Sequence, residues 1–121
     1  ITLKRATGTI TEGGSSAAEY DAIQFKKQGN GQFSNIMISG YTTTGATAVR
    51  IQDAATNTDQ VNGSKIKLTN VKINDNTSQF AGAGTVSVTF PSGNYTTSTS
   101  ATGASITAGN WATVGGVNLL Q

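Results

Sequence analysis

Six carboxylates are the residues of this sequence that could carry acid–base chemistry, because the chain contains neither His nor Cys. They are Glu12, Glu19, Asp21, Asp53, Asp59 and Asp75. Glycoside hydrolysis needs two carboxyl groups about 5 to 10 Å apart, one of them with a raised pKa. Glu19 and Asp21 alternate with Tyr20 and would share one face of a strand, although a solvated face explains the same pair more simply. The sequence therefore predicts no catalytic residues, and we expect the protein not to be an enzyme.

The segment DAATNTD, residues 53–59, contains oxygen ligands of the type that a hard cation such as Ca²⁺ takes. Asp53, Asn57 and Asp59 supply the side-chain oxygens. Their spacing does not match an EF-hand loop, and an ordinary Asx-rich turn accounts for the same residues. These three are weak metal candidates, and we expect neither a metal nor a cofactor.

The composition of the chain indicates the elements that would position these side chains. Thr (20), Ser (11), Asn (10) and Gly (15) make up 56 of the 121 residues, whereas only 12% are charged. Gly and the short polar side chains are weak in helix interiors. One all-β domain with an uncharged polar surface is the simplest interpretation. Because such a surface is typical of exported proteins, we expect an extracellular or cell-surface location, and the absence of a signal-peptide pattern fits a mature form.

Alternating apolar residues predict the strands of this domain, and clusters of Gly, Asn, Asp and Ser predict the turns between them. The clearest alternating segments are residues 1–11, 20–27, 46–52, 64–73 and 83–90. The sequence QGNG at 28–31 is typical of a hairpin turn. About eight short strands at this spacing predict an antiparallel β-sandwich or jelly roll.

The fourth of these segments contains an irregularity in its alternation. Ile66 and Leu68 have one parity, whereas Val71 and Ile73 have the other. A period of two cannot place all four side chains on one face of a strand. We therefore predict a β-bulge near residues 69–70, with a strand covered on both faces as the alternative.

Three Asn-x-Ser/Thr sequons, at Asn62, Asn76 and Asn94, are candidate glycosylation sites. A chain this rich in Asn, Ser and Thr contains such sequons by chance. They are compatible with a glycoprotein but do not demonstrate one.

The charge distribution argues against a nucleic-acid partner, and the hydropathy argues against a membrane span. The eight basic residues are spread between positions 4 and 72, rather than forming the dense stripe with aromatic platforms that nucleic-acid binding uses. No apolar run reaches the roughly 18 to 20 residues of a membrane span. We therefore expect neither a nucleic-acid partner nor a membrane span.

The N-terminal segment ITLKRATGTIT is the strongest candidate for a functional element. Its apolar and small residues alternate, first on one parity and then on the other, so it is suited to β-strand addition into a neighbouring subunit. The candidate subunit-contact residues are Ile1, Leu3, Ala6, Gly8 and Ile10. We accordingly divide the chain into an N-terminal strand, 1–11, as candidate donor strand, and a β-sandwich domain, 12–121.

The tract YTTSTSATGAS, residues 95–105, contains neither a charge nor a large aliphatic side chain. Small polar side chains lose little rotamer entropy when they pack against another molecule. We interpret the tract as an uncharged surface that contacts another molecule or carries sugars.

A head-to-tail contact built by strand addition propagates without closing. The sequence therefore predicts a structural protein, the subunit of a surface filament or pilus-like assembly, whose partner in self-assembly is a further copy of the chain. Two alternatives stay open. One is a carbohydrate-binding or cell-adhesion module with a surface glycan as its partner, and the other is a phage decoration or tail β-domain.

Overall fold

The computed structural model describes residues 1–5, 21–75, 77–104, 113–114 and 117–118. The strands of these ranges are β1 (Thr2–Lys4), β2 (Ile23–Phe25), β3 (Gly31–Ser39), β4 (Thr47–Ile51), β5 (Ile66–Ile73), β6 (Ser78–Gly82), β7 (Tyr95–Thr97), β8 (Thr113–Val114) and β9 (Val117–Asn118). A short helix α1, Ala54–Thr56, continues as a π-helical turn, Asn57–Val61. Among the described residues, no helix has the length and apolar character that crossing a membrane requires.

Seven of these strands form two parallel sheets, and the chain alternates between them. Sheet 1 contains β1, β3, β5 and β7, and sheet 2 contains β2, β4 and β6, each in chain order. Every pairing within the two sheets is parallel. The strands β8 and β9 form a separate antiparallel pair. Because each circuit of the chain adds one strand to each sheet, the architecture is a parallel β-helix.

The predicted antiparallel β-sandwich or jelly roll is therefore wrong, and so is the description of residues 12–121 as a sandwich domain. A strand with one buried face alternates in the same way in a sandwich and in a β-helix, so alternation does not report the direction of pairing. The turn at 28–31 shows the error, since it joins β2 of sheet 2 to β3 of sheet 1 rather than two strands of a hairpin. The expected strand at 83–90 is also displaced, because the strand in this region is β6.

The register of sheet 1 advances by a constant step of 35 residues over its first three strands. Leu3 of β1 pairs with Ile38 of β3, which pairs with Ile73 of β5. In sheet 2, Val49 of β4 pairs with Phe80 of β6. Apolar side chains therefore lie above one another in columns that run along the axis of the β-helix.

The hydrophobic core lies between the two sheets. Its buried members are Phe25, Ile36, Ile38, Ala48, Val49, Ile51, Val61, Ile66, Leu68 and Val71. The rings of Phe80, Phe90 and Tyr95 pack against one another beside this core, with centroids 4.9 to 5.4 Å apart. Burial of each large apolar side chain contributes about 1.5 to 3 kcal/mol, so these columns hold the sheets together.

The predicted irregularity in β5 is present at Asn70. This residue has a positive φ of 56°, and the register between β5 and β7 shifts between Leu68 and Val71. Leu68 and Val71 are both buried as a result, although their parities differ. The prediction of a bulge at residues 69–70 is confirmed.

Candidate functional site

The first strand of sheet 1 has a neighbour on only one side among the described strands. β1 pairs with β3, and the Arg5 N–H donates to the Ser39 carbonyl at 3.0 Å. In a parallel sheet, the main-chain groups of successive residues point to opposite sides of the strand. The N–H and C=O groups of Thr2 and Lys4 therefore point away from β3, towards the open edge.

An apolar cleft of about 230 Å³ lies beside this open edge. It is lined by Ile1, Leu3, Ala22, Ile23 and Phe33. Ile1 is 41% exposed and Phe33 is 38% exposed, and they are the large exposed hydrophobic residues of the described part of the chain. Phe33 pairs with Leu68 on one side, but β1 begins level with Met37 and leaves the other side of Phe33 uncovered. The cleft therefore exposes apolar surface next to β1.

The opposite end of sheet 1 contains a notch beside β5. The Ser98 N–H donates to the Val71 carbonyl at 2.9 Å, after which the chain leaves the sheet. Ser98 is level with Lys72, and Ile73 of β5 therefore lies beyond the last hydrogen bond of this pairing. The notch is an open groove of about 570 Å³ lined by Val71, Lys72, Ile73, Gln79, Thr97, Ser98 and Thr99. At each end of sheet 1, the outermost described strand thus covers only part of its neighbour. β7 leaves the end of β5 uncovered, and β1 leaves the start of β3 uncovered.

Residues 98–104 return from β7 across the outer face of sheet 1 to β1. The Asn35 Nδ2 donates to the Gly103 carbonyl at 2.9 Å, and the Ala104 N–H donates to the Thr2 Oγ1 at 2.9 Å. Gly103 lies so close to the Thr2 hydroxyl that a Cβ atom there would collide with it. This part of the tract YTTSTSATGAS therefore packs against β1 and β3 of the same chain.

The predicted subunit-contact residues lie partly inside the described ranges. Ile1 and Leu3 are described, whereas Ala6, Gly8 and Ile10 lie outside them. β1 pairs with β3 of its own chain, and Leu3 packs against the chain's own core. Among the described strands β1 is an edge to which a strand could be added, and exchange of residues 1–11 between subunits stays a prediction.

Asp21 forms an ion pair with Arg50 in the outer layer of sheet 2. Its Oδ1 accepts from Arg50 Nη2 at 3.1 Å and from the Thr47 N–H at 2.8 Å, and its Oδ2 accepts from Arg50 Nε at 3.2 Å. Burial alone would raise the pKa of Asp21, but the hydrogen bonds from Arg50 and Thr47, with the Arg50 charge, hold it below 3.8. Glu19, its predicted partner, lies outside the described residues.

Asp53, the first weak metal candidate, caps the N-terminus of α1. Its Oδ1 accepts from the Thr56 N–H at 2.8 Å, and its Oδ2 accepts from the Lys27 N–H at 2.9 Å. These hydrogen bonds hold the pKa of Asp53 below its ordinary value. Asp53 therefore secures the start of a short helix, where the sequence predicts a turn.

Asn57 and Asp59, the other two metal candidates, lie on the π-helical turn that follows. The Asp59 Oδ2 accepts from Gln28 Nε2 at 2.7 Å, and the Asn57 Nδ2 donates to the Ser87 carbonyl at 3.0 Å. In the described part of the chain, no three His, Cys, Asp or Glu side chains come together in a way that could hold a metal ion. The candidates thus connect neighbouring loops, and the expectation that they bind no metal stays a prediction.

Asp75 is an exposed carboxylate two residues after the end of β5. Its Oδ1 accepts a hydrogen bond from the Thr77 hydroxyl, and its Oδ2 accepts one from the Gly40 N–H. These hydrogen bonds hold the pKa of Asp75 below 3.8. A negative charge therefore lies at the end of sheet 1 that contains the notch.

The three sequons lie in different environments. Asn62 is exposed at the end of the helical segment, and Asn76 lies outside the described residues. Asn94 is only 6% exposed, and its Nδ2 is buried without a hydrogen-bond partner among the described residues. Of the two described acceptors, only Asn62 is accessible to a glycan in the folded chain.

The described aromatic rings do not form a row on the surface. Three belong to the packed cluster beside the core, and Tyr41 lies under the guanidinium of Arg5, 5.9 Å from its ring centroid. Burial raises the pKa of Tyr95, one of the packed rings, to about 12. Tyr20 and Trp111 lie outside the described residues. Among the described aromatic residues, Phe33 is the exposed ring, and it lines the apolar cleft.

The notch and the cleft were not predicted from the sequence, although the sequence contains a signal for the parallel stacking of β1, β3 and β5. The triplets ITL, IMI and VKI begin at residues 1, 36 and 71, and they overlap the parts of β1, β3 and β5 that lie side by side. A search for similar triplets at a fixed spacing would have indicated parallel neighbours and their shared register.

Comparison with known proteins agrees with this architecture. A family model described as a pectate-lyase-like β-helix domain matches residues 3–114, which is nearly the whole chain. Comparisons with curated proteins and with solved structures found no match. Domains of this kind are commonly extracellular, and many are enzymes.

Proposed function

We propose that this chain, which belongs to the pectate-lyase-like β-helix family, is a non-catalytic extracellular structural module that assembles by β-strand addition at the open edge of β1. One observation carries the proposal: β1 directs the main-chain groups of Thr2 and Lys4 away from β3, and its neighbouring residues Ile1 and Leu3 line the apolar cleft together with Phe33. Main-chain hydrogen bonds supply affinity in strand addition, and pockets for alternate side chains supply specificity. The edge of β1 offers both.

The energetics of the cleft support association at this edge. Ile1 and Phe33 are each more than one-third exposed, and covering a large apolar side chain contributes about 1.5 to 3 kcal/mol. Unpaired strand edges beside apolar surface are a liability in a protein that has no partner for them. A partner strand removes this liability because it pairs the edge and covers the cleft together.

The lowered pKa values of three described carboxylates support the proposal that the module is not catalytic. Hydrogen bonds hold the pKa values of Asp21, Asp53 and Asp75 below the ordinary value of an aspartate. A general acid for glycoside cleavage needs the opposite shift, since it must still carry its proton near neutral pH. These three residues therefore act as hydrogen-bond acceptors that stabilise turns and the outer layer of the fold.

A proline at Lys4 tests the proposal. The Lys4 N–H points to the open edge, so Lys4→Pro removes a donor that strand addition uses and that the β1–β3 pairing does not use. Proline is tolerated on edge strands in this orientation. Lys4→Thr is the matched control, because it also removes the charge but keeps the N–H.

The measurement is the mass of each protein by light scattering after gel filtration, from micromolar to millimolar concentration. We expect the parent chain and Lys4→Thr to associate as concentration rises, and Lys4→Pro to stay at its monomer mass of about 12.3 kDa. Thermal unfolding of Lys4→Pro establishes that it is folded. Equal association of all three proteins, or none by the parent chain, would show the proposal to be wrong.

The notch favours a second candidate function, the binding of a polysaccharide. The Lys72 amine, the Gln79 amide and the hydroxyls at 97–99 offer hydrogen bonds in a groove of about 570 Å³. It ranks second because none of the described residues that line the groove has an aromatic ring, the usual platform for a sugar. Titration calorimetry with neutral and acidic polysaccharides, on the parent chain and on Lys72→Ala, tests it. Binding that the variant loses would support this function.

A further inference from the structure

We propose that the partner at the open edge of β1 is a second copy of the chain, and that the two β1 strands pair antiparallel about a two-fold axis at Leu3. This inference rests on the proposed function, because it names the partner of the same edge. Both copies use the same surface, so the contact closes as a dimer. Four features of the described residues carry it: hydrogen-bond direction, charge, the face that each core occupies, and the open end of the core.

The main-chain groups of β1 that point to the open edge belong to Thr2 and Lys4. The Ile1 carbonyl accepts from the Met37 N–H at 2.8 Å, so the odd-numbered residues of this strand face β3 and the even-numbered ones face away from it. In an antiparallel pair, two opposed residues whose main-chain groups face each other exchange two hydrogen bonds. Opposing Thr2 of each copy with Lys4 of the other therefore uses every outward N–H and C=O group of both β1 strands.

The charges of β1 and its neighbours favour the register that is centred on Leu3. Opposing Thr2 with Thr2, or Lys4 with Lys4, would form one hydrogen-bonded pair within the two β1 strands instead of two. The second of these registers would also bring two lysine ammonium groups together, which is unfavourable. In the register centred on Leu3, Lys4 lies opposite Thr2 and Arg5 lies opposite Ile1, so within residues 1–5 no two charged side chains are opposed.

Antiparallel pairing also keeps the cores of the two copies on the same side of the joined sheet. Leu3 of each copy packs against that copy's own core. Rotation about a two-fold axis perpendicular to sheet 1 reverses the direction of the strand but leaves Leu3 on the same face of the sheet. Parallel pairing of the same two edges would need rotation about the strand direction, which turns the second sheet over and places its core on the opposite face.

The apolar cleft is an open end of the hydrophobic core among the described residues. Leu3, Ala22 and Ile23 line the cleft and also pack against the buried core. In the proposed dimer, the two Leu3 residues form a non-hydrogen-bonded pair, whose Cα atoms lie about 4.5 Å apart. The two clefts therefore lie beside each other across the axis. Association covers apolar surface that each copy alone exposes to water.

The mass of the associated protein tests whether the contact closes. In the light-scattering series described above, we expect the mass of the parent chain to rise from 12.3 kDa to twice that value and to stay there at the highest concentrations. A mass that continues to rise beyond two chains would overturn the two-fold contact.

Cysteine substitutions test the register directly, since the chain contains no Cys. In the proposed dimer, Thr2 of one copy and Lys4 of the other lie opposite each other with Cα atoms about 5.5 Å apart, within the span of a disulfide. The two copies of Thr2 are diagonal neighbours about 7 to 8 Å apart, beyond the usual span, and so are the two copies of Lys4. Oxidation of an equimolar mixture of Thr2→Cys and Lys4→Cys should therefore give mainly the mixed dimer, which intact mass spectrometry distinguishes from the two like dimers.

Two controls accompany this experiment. Each single variant oxidised alone is the matched control, and it should form far less covalent dimer than the mixture does. The double variant Thr2→Cys/Met37→Cys is the positive control, since these residues pair across β1 and β3 and should form a disulfide within one chain. Its formation establishes that Thr2→Cys leaves β1 in place.

The outcomes separate this inference from the proposed function. A mass that stops at two chains, together with an excess of the mixed dimer, would support the two-fold contact. If the parent chain associates and Lys4→Pro blocks association, but like dimers are as frequent as mixed ones, strand addition holds and the register centred on Leu3 is wrong. If the parent chain does not associate at all, the proposed function itself fails, and this inference fails with it.

Discussion

Asn35 and Asn70 lie side by side across the β3–β5 pair, and both have left-handed backbone conformations, with φ of 52° and 56°. The pair Ile36–Val71, which follows immediately, places them level with each other. Asn is one of the few residues other than Gly that adopt this conformation readily. In β5 the bend switches the buried parity between Leu68 and Val71, and in β3 the buried side chains begin at Ile36, directly after the bend.

The conformation of Asn70 leads to a prediction about stability. We expect Asn70→Ala to lower the free energy of unfolding by about 1 kcal/mol, because Ala has a higher cost in the left-handed region. Asn70→Gly, which has no such cost, should change it by less than about 0.5 kcal/mol. Urea denaturation measures both. Equal effects of the two substitutions would show that the backbone conformation is not the reason for Asn at this position.

We expect the loss of the ion pair between Asp21 and Arg50 to lower the free energy of unfolding more than the substitutions of Asn70 do. The Asp21 side chain is 8% exposed and that of Arg50 is 17% exposed, so Asp21→Asn leaves a largely buried guanidinium without its counter-charge. We expect a loss of about 3 kcal/mol in the free energy of unfolding. Asp59→Asn, at an exposed carboxylate, is the control and should change it by less than about 0.5 kcal/mol. Similar losses in the two variants would contradict the structural role given to Asp21.

The lowered pKa values of Asp21, Asp53 and Asp75 predict how stability depends on pH. These carboxyls titrate near 3.8 when unfolded and lower when folded, so below that pH the unfolded chain binds more protons. Their contribution is present in full well above 3.8 and is lost as the pH falls towards the folded-state values. Urea denaturation at pH values on both sides of this range should show the loss, and Asp21→Asn should show less of it. A free energy of unfolding that stays constant across the range would contradict the prediction.

Phe33 and Phe25 form a matched pair for separating assembly from stability. Phe33 is 38% exposed in the cleft, whereas Phe25 is 6% exposed in the core. We expect Phe33→Ala to reduce association of the chain with little change in its unfolding. Phe25→Ala should lower the free energy of unfolding by about 3 to 5 kcal/mol. A Phe33→Ala variant that associates like the parent chain would show that the cleft does not take part in assembly.

The alternation of apolar residues was sufficient to locate β2, β4 and β5, and the change of parity at residues 69–70 was sufficient to predict the bulge. Both are local properties, since they depend on which face of one strand is buried. The direction of pairing was not local, because it depends on whether a turn such as QGNG returns to the same sheet or continues to another. The helical segment after Asp53 was too short to show a helical period. Its one local sign in the sequence was Asp53, a residue type that favours the N-cap position.

The candidate site was predictable only in part. The alternation of Ile1 and Leu3 predicted a strand suited to pairing with another chain, and β1, which contains Leu3, is an edge among the described strands. The notch beside Ile73 could not be predicted from composition, because it exists only where β7 ends earlier than β5. It is a consequence of the different lengths of neighbouring strands in the β-helix.

Hydrogen exchange at the amide of Lys4 tests the strand-addition account most directly. In the single chain this amide points to the open edge, whereas the Arg5 amide donates to the Ser39 carbonyl and provides an internal reference. We predict that at low concentration the Lys4 amide exchanges fast and the Arg5 amide slowly. At high concentration the Lys4 amide should become protected, while the Arg5 amide stays unchanged. A Lys4 amide that exchanges equally fast in dilute samples and in samples whose mass shows association would contradict the account.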